Sequence, residues 1–242
     1  MGYELYYHAS IQGRGEFVRL ALEEGGASYT DIGRQLAEQG GGQQAVLAMM
    51  GDAGGDRPPF APPILKDGDY LVSHTANILM YVGNHIGLAP ADEQQRHWLH
   101  GLQLTITDFI KDVHDTHHPL SNALFYEEQK DEAAAANEKF HELRVPKYFG
   151  YFEIVIARNS SASGWLVGDA LSYGDTSIYH LVEGMNYAWP KRWASVAGNY
   201  PGMCQIRNRV AARPNIQSYL ASERRIPFNT NGVFRHYPEL DR

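Results

Sequence analysis

The sequence holds one cysteine in 242 residues, Cys204, so it can close no internal disulfide and offers no cysteine pair for zinc or redox chemistry. A small residue packed on a helix is the role left for that side chain. Cations are also in deficit: 21 Lys and Arg stand against 28 Asp and Glu, a net charge of -7 with no basic stripe. Binding along phosphates needs such a stripe, which argues against nucleic acid as the partner. No run of about 18 apolar residues is present to cross a bilayer. The opening MGYELYYHAS lacks the basic and apolar regions of a signal peptide. A cytoplasmic protein without membrane attachment is expected.

What is present changes character after the first third. YELYYH reads as a strand, and GRGEFVRLALEEGG as a helix with Phe17, Leu20 and Ala21 at helical spacing and a glycine pair as its stop. YTDIGR is a short second strand. EQGGGQQ and GDAGGDRPP have loop composition, and mobility is expected there. PPILK and YLVS on either side of Asp67-Gly68-Asp69 form a hairpin, followed by the helix TANILMYVGNHIG. Beyond Pro90 the pattern is helical throughout. Trp98, Leu102, Ile106, Phe109, Ile110 and Val113 recur as one apolar stripe, and Pro146 kinks or divides the next helix. Ser172 and Asp175 have the spacing of a capping box, and the tail from Ile226 is irregular and aromatic. The fold class is α/β plus all-α.

Four ordered motifs carry a family resemblance: YELYYH with GRGEFVRLAL, PPILKDGDYLVSHTANI, GDALSYGDTSIY, and YPGMCQIRNRVAARPNIQSYL. Together they resemble the cytosolic glutathione transferases, of the tyrosine type similar to the alpha, mu, pi and sigma classes. The resemblance implies an N-terminal thioredoxin-like domain over 1–83 that binds glutathione and a linker over 84–92. An all-helical C-terminal domain with the acceptor pocket follows over 93–242. It implies a homodimer that uses glutathione as co-substrate, without a metal, in detoxifying conjugation to a small hydrophobic electrophile. A non-catalytic carrier is the alternative, as is a glutathione-dependent isomerase or peroxidase.

The resemblance also assigns residues. Pro63 falls at the cis-proline whose preceding backbone pairs with glutathione's cysteinyl unit; here that residue is Pro62, which offers a carbonyl but no N–H. His74 and Thr75 fall at a helix N-terminus suited to the γ-glutamyl carboxylate. Arg14 falls at a glutathione contact, and Asp112 at a candidate for the glutamyl amine. Tyr7, ending the first strand, falls at the hydroxyl that stabilises the thiolate. The loop HASIQGR is one residue longer than the family spacing, so counting back from Arg14 places His8 at the tyrosine position. Ser10, four before the arginine, remains the alternative donor. Tyr187, Trp189, Trp193, Phe234 and Tyr237 are candidates for lining the acceptor pocket. His114, His117 and His118 lie close together, but Pro119 ends their helix and no metalloprotease pattern accompanies them; a second-substrate or solvated role is expected in place of a metal site.

Overall fold

The computed structural model describes residues 2–51 and 55–242. Four strands open it, β1 (Tyr3–Tyr6), β2 (Tyr29–Asp31), β3 (Ile64–Asp67) and β4 (Tyr70–Ser73), hydrogen-bonded in the order β2-β1-β3-β4. The β1–β2 pair is parallel, so the chain must cross over between them, and α1 (Gly15–Glu24) is that crossover. β3 and β4 are antiparallel around Gly68, whose φ of 58° explains the glycine in the turn. Strand alternation then sorts the two faces. Leu5, Leu65 and Val72 pack against Val18 and Leu22 of α1 and Ile78 and Val82 of α3 (Thr75–His85).

The opposite face carries Tyr6, Ile32 and Ile64 and is covered by a helix that composition did not suggest. α2 (Gly42–Ala48) rises out of EQGGGQQ, and buried Val46 and Met49 close that face. The expected structureless loop is thus partly a helix. Its glycine content disfavours it in isolation, and burial of two apolar side chains against the sheet overrides that propensity. The mobility expected of GDAGGDRPP falls in part on residues 52–54, outside those described.

The helices that follow are α4 (Glu93–Asp115), α5 (Lys130–Lys139), α6 (Val145–Ala157), α7 (Tyr173–Ala188), α8 (Pro190–Val196), α9 (Pro201–Ala211) and α10 (Pro214–Leu220). The buried stripe of α4 is the expected one except at its first member: Leu99 is inside and Trp98 is 48% exposed. Pro146 divides the next helical stretch as expected. A π-turn over Phe140–Arg144 separates α5 from α6, relaxing the ladder where proline has no N–H to give. Trp189 and Trp193 are core residues, packed with Phe140, His141, Phe149 and Tyr200, so the acceptor-lining role expected of them is not what their rings do. Phe234 is likewise buried in that core. No helix among the described residues is long and apolar enough to cross a membrane.

The capping box forms. Asp175 is fully buried and its carboxylate accepts from the backbone N–H groups of Leu166 and Ser172, both at 2.8 Å, and from Ser172 Oγ at 2.7 Å. Burial pushes its pKa up to about 6 against the opposing effect of those donors. Asp175→Ala leaves three donors unsatisfied and is expected to cost about 3 kcal/mol, read as a lower urea midpoint at unchanged m-value. The imidazoles of His117 and His141 are pushed down to about 2 and about 3, chiefly by burial. Unfolding lets both take up protons near pH 6.5, so their contribution to stability is present at neutral pH and lost as pH falls through 6.5. Asp175 opposes them between about pH 4 and 6, with one group against two. The urea midpoint is therefore expected to be lower at pH 5 than at pH 7, and His117→Gln to flatten that dependence.

Candidate active site

Strand register gathers most of the candidate residues at one edge of the sheet. Tyr6 pairs with Ile64 and Ile64 with Ser73, so the next rung brings together Tyr7, Pro63 and His74. The Pro62–Pro63 peptide is cis, as the resemblance implied, and Pro62 presents its carbonyl with no N–H beside it. His74 is exposed at the position before α3 and holds a φ of 74°, a left-handed conformation that costs a non-glycine residue of order 1 kcal/mol. Thr75 follows at the start of α3, buried, its Oγ1 donating to the Arg14 carbonyl at 3.5 Å.

Tyr7 meets the start of α1. Its hydroxyl accepts from the Arg14 backbone N–H at 2.8 Å. Two glycines make that approach possible. A Cβ on Gly13, whose φ is 45°, would lie 2.2 Å from the Tyr7 hydroxyl, and one on Gly15 would lie 2.5 Å from its ring. The motif Gly13-Arg14-Gly15 is thus shaped to the tyrosine, which a sequence reader can see only after knowing that the ring lies there. Burial raises the Tyr7 pKa, while the Arg14 N–H, the charges of Arg14 and Arg19, and the Gly15 N–H work against that rise. The group therefore stays a neutral phenol at pH 7. Its oxygen already accepts from the backbone, so its own proton is left to donate.

Ser10 is placed differently. It is exposed, and its backbone carbonyl accepts from Asn229 Nδ2 at 2.8 Å. His8, which the ungapped count put at the tyrosine position, instead has Nδ1 3.2 Å from Gln43 Oε1, tying the loop to α2. Arg14 lines a narrow cleft with Phe17, Thr75, Gln103, Ile106, Thr107 and Ile110, between α1, the start of α3 and α4. Asp112 does not join this group within the chain: its carboxylate accepts from Arg144 Nε at 2.7 Å, on the far side of α4 toward the π-turn. Tyr187 stacks on Phe228 at 4.7 Å between ring centroids and Tyr237 on Tyr126 at 3.8 Å, so both rings are engaged by neighbours.

Sequence reading missed the charges beneath the tyrosine. Arg19 and Glu16 are both fully buried, with Arg19 Nε 2.7 Å from Asp31 and Nη1 3.4 Å from Glu16. Glu16 also accepts from the Tyr219 hydroxyl at 2.8 Å and pairs with Arg225. The Arg19 guanidinium lies 5.6 Å from the centre of the Tyr7 ring, within cation–π range. On a helix, Glu16 and Arg19 look like an ordinary surface pair three apart, and only the tertiary fold buries them.

Comparison with known proteins fits this geometry. Residues 114–223 match the family model described as "Glutathione S-transferase, C-terminal domain". Glutathione S-transferase P 2 of the toad Bufo bufo is 28% identical over 96% of this chain and 99% of its own length. Glutathione S-transferase P 1 of Xenopus laevis is 26% identical over 93% and 94%. Among solved structures, prostaglandin synthase D of Nilaparvata lugens superposes with a TM-score of 0.70 at 20% identity, covering 94% of this chain and 100% of that one. A monomeric glutathione S-transferase of the hookworm Necator americanus gives 0.67 at 17%, covering 95% and 99%. Over nearly its whole length the chain is similar to the cytosolic glutathione transferases.

Proposed function

We propose that this protein is an active glutathione transferase in which Tyr7 activates the glutathione thiol for attack on a hydrophobic electrophile. The observation that carries the reading is the Tyr7 hydroxyl accepting from the Arg14 N–H at 2.8 Å, which leaves its proton to donate to sulfur. A free thiol near pKa 8.5 is mostly protonated at neutral pH, and a donor at sulfur beside a helix N-terminus favours the thiolate. Glutathione would lie along the sheet edge. Its cysteinyl N–H would find the Pro62 carbonyl, and its γ-glutamyl carboxylate the N–H groups opening α3 with the Thr75 hydroxyl. His74 would stand beside that carboxylate, and Arg14 would offer a cation in the cleft.

Ser10 is outside this scheme because it is exposed and its hydrogen bond, from Asn229, is made by its backbone carbonyl. Asp112 enters it only if a second subunit shifts the carboxylate from Arg144. Homodimerisation is part of the proposal, with fully exposed Phe60 and half-exposed Trp98 and Leu104 as apolar side chains that a second copy would cover. A cytoplasmic location suits a glutathione-dependent enzyme with a single thiol of its own. The carrier reading is favoured by one observation, the missing N–H at Pro62, which removes one of two backbone bonds to the ligand. Glutathione binding with an unshifted thiol would select it.

Tyr7→Phe is expected to retain glutathione binding, raise the apparent pKa of the bound thiol read from thiolate absorbance, and lower kcat about 10- to 100-fold, the equivalent of one hydrogen bond to a charged group. Ser10→Ala is expected to change neither; full activity in the tyrosine variant with loss in the serine variant would reverse the assignment. Thr75→Ala removes ground-state binding and is expected to raise KM for glutathione about tenfold with kcat little altered, in steady-state assays with the electrophile held saturating.

A further inference from the structure

Arg19 is an unfavourable residue to bury. It is fully buried, and its charge is met by Asp31, 2.7 Å from Nε, and by Glu16, 3.4 Å from Nη1. Buried ion pairs of this kind add little net stability compared with apolar side chains of the same volume. Its donors are not all used either. Nη1 also donates to the Ile11 and Gln12 carbonyls at 3.4 Å, but Nη2 is buried and, among the described residues, has no hydrogen-bond partner. Stability alone does not account for a buried guanidinium with an idle donor.

What the guanidinium does meet is the Tyr7 ring. Its central carbon stands over that ring, 5.6 Å from the centroid, and the His8 imidazole is edge-on to the same ring at 5.1 Å. Burial raises the Tyr7 pKa, and the charges of Arg14 and Arg19 act against that rise. The two cations differ in setting. Arg14 is half-buried in the cleft, where water screens it, whereas Arg19 acts from a dry interior. A phenol whose oxygen better bears negative charge is the stronger donor to an anion.

We propose that Arg19 is a positioning residue for thiol activation: from beneath the ring, its guanidinium strengthens the hydrogen bond that Tyr7 donates to the glutathione thiolate, and the charges holding Arg19 set how strongly. This role rests on the glutathione transferase reading. Tyr7 keeps its proton throughout, and the thiol proton leaves to solvent. The network carries two cations, Arg19 and Arg225, and two anions, Asp31 and Glu16. Glu16 divides its carboxylate between them, one oxygen facing Arg19 and the other accepting from the Tyr219 hydroxyl at 2.8 Å and pairing with Arg225. Residues of β2 and α10, and Arg225 beyond it, thus act on the thiol without touching it. Removing an anion makes the surroundings of the ring more positive; removing a cation makes them less so.

The test reads the ionisation constant of the bound thiol from thiolate absorbance of the glutathione complex in wild type, Asp31→Asn and Arg225→Gln, with urea midpoints recorded alongside. Asp31→Asn is expected to raise that constant about threefold and Arg225→Gln to lower it about threefold, the scale of one unit charge acting across a protein interior. Affinity for glutathione is expected to change little in either. Opposite signs are decisive, because a purely structural role lowers both midpoints and moves the thiol one way or not at all. Tyr219→Phe keeps the ring and removes one donor from Glu16, so it is expected to lower the constant by a smaller factor, and it serves in place of an Arg225 variant that does not fold. Shifts of one sign, or none, overturn the role of Arg19 while leaving the transferase reading standing. A wild-type complex whose thiol ionises as it does free in solution, or failure to bind glutathione, overturns the transferase reading, and the role of Arg19 falls with it.

Discussion

The N–H groups that open a helix have no partners within it, and at the start of α1 they lie against a packed interior where water cannot supply them. The Tyr7 hydroxyl meets one of them, at Arg14. Several features follow from that single need. The residues on either side of Arg14 must be glycine for the phenol to fit. The strand before it must end one residue beyond its last ladder pair, which brings Tyr7 to the edge where Pro63 and His74 also arrive. A group that caps a helix by accepting still has a proton to give, so the structural bond and the chemistry assigned to Tyr7 use different parts of one hydroxyl.

Beneath the ring, a second constraint joins the sheet region to the last helices. Arg19 and Glu16 are stripped of water, and such charges are tolerated only when their partners are in place. Those partners come from β2, as Asp31, and from α10 and the residues after it, as Tyr219 and Arg225. Removing any one would leave a buried charge with fewer partners, so the network fixes the C-terminal helices against α1 more strictly than apolar contact would. Sequence shows each member as an unremarkable polar residue, because long-range pairing leaves no local periodicity.

That difference between local and long-range signals explains what the sequence could and could not tell. The hairpin at Gly68, the capping box of Ser172 and Asp175, the division at Pro146 and the long α4 helix were all legible, since each depends on a few adjacent residues. α2 was not, because its two anchors, Val46 and Met49, gain their stability from Tyr6, Ile32 and Ile64 elsewhere in the chain. The apolar pattern puts Trp98 inside where the structure buries its neighbour Leu99; a shift of one residue turns a helix by about 100°, and an aromatic weighs heavily in any apolar pattern. For the site, the gathering of Tyr7, Pro63, His74 and Thr75 followed from motifs in order, whereas the pairing of Asp112 with Arg144 and the burial of Trp189 and Trp193 depended on packing.

The tail extends the same logic to the end of the helical region. After Ile226 the chain has no regular ladder to satisfy its backbone, and side chains from several helices do so instead. His117 donates to the Val233 carbonyl, Asn137 to Leu240, and the Asp241 carboxylate accepts from the N–H groups of Lys191 and Arg192. Tyr126 stacks on Tyr237 and donates to Glu239. An irregular segment held at so many points is part of the helical core, and the position of Arg235 beside His118 is set by it. The residues that hold the tail therefore also set the charge beside His118 at the end of α4.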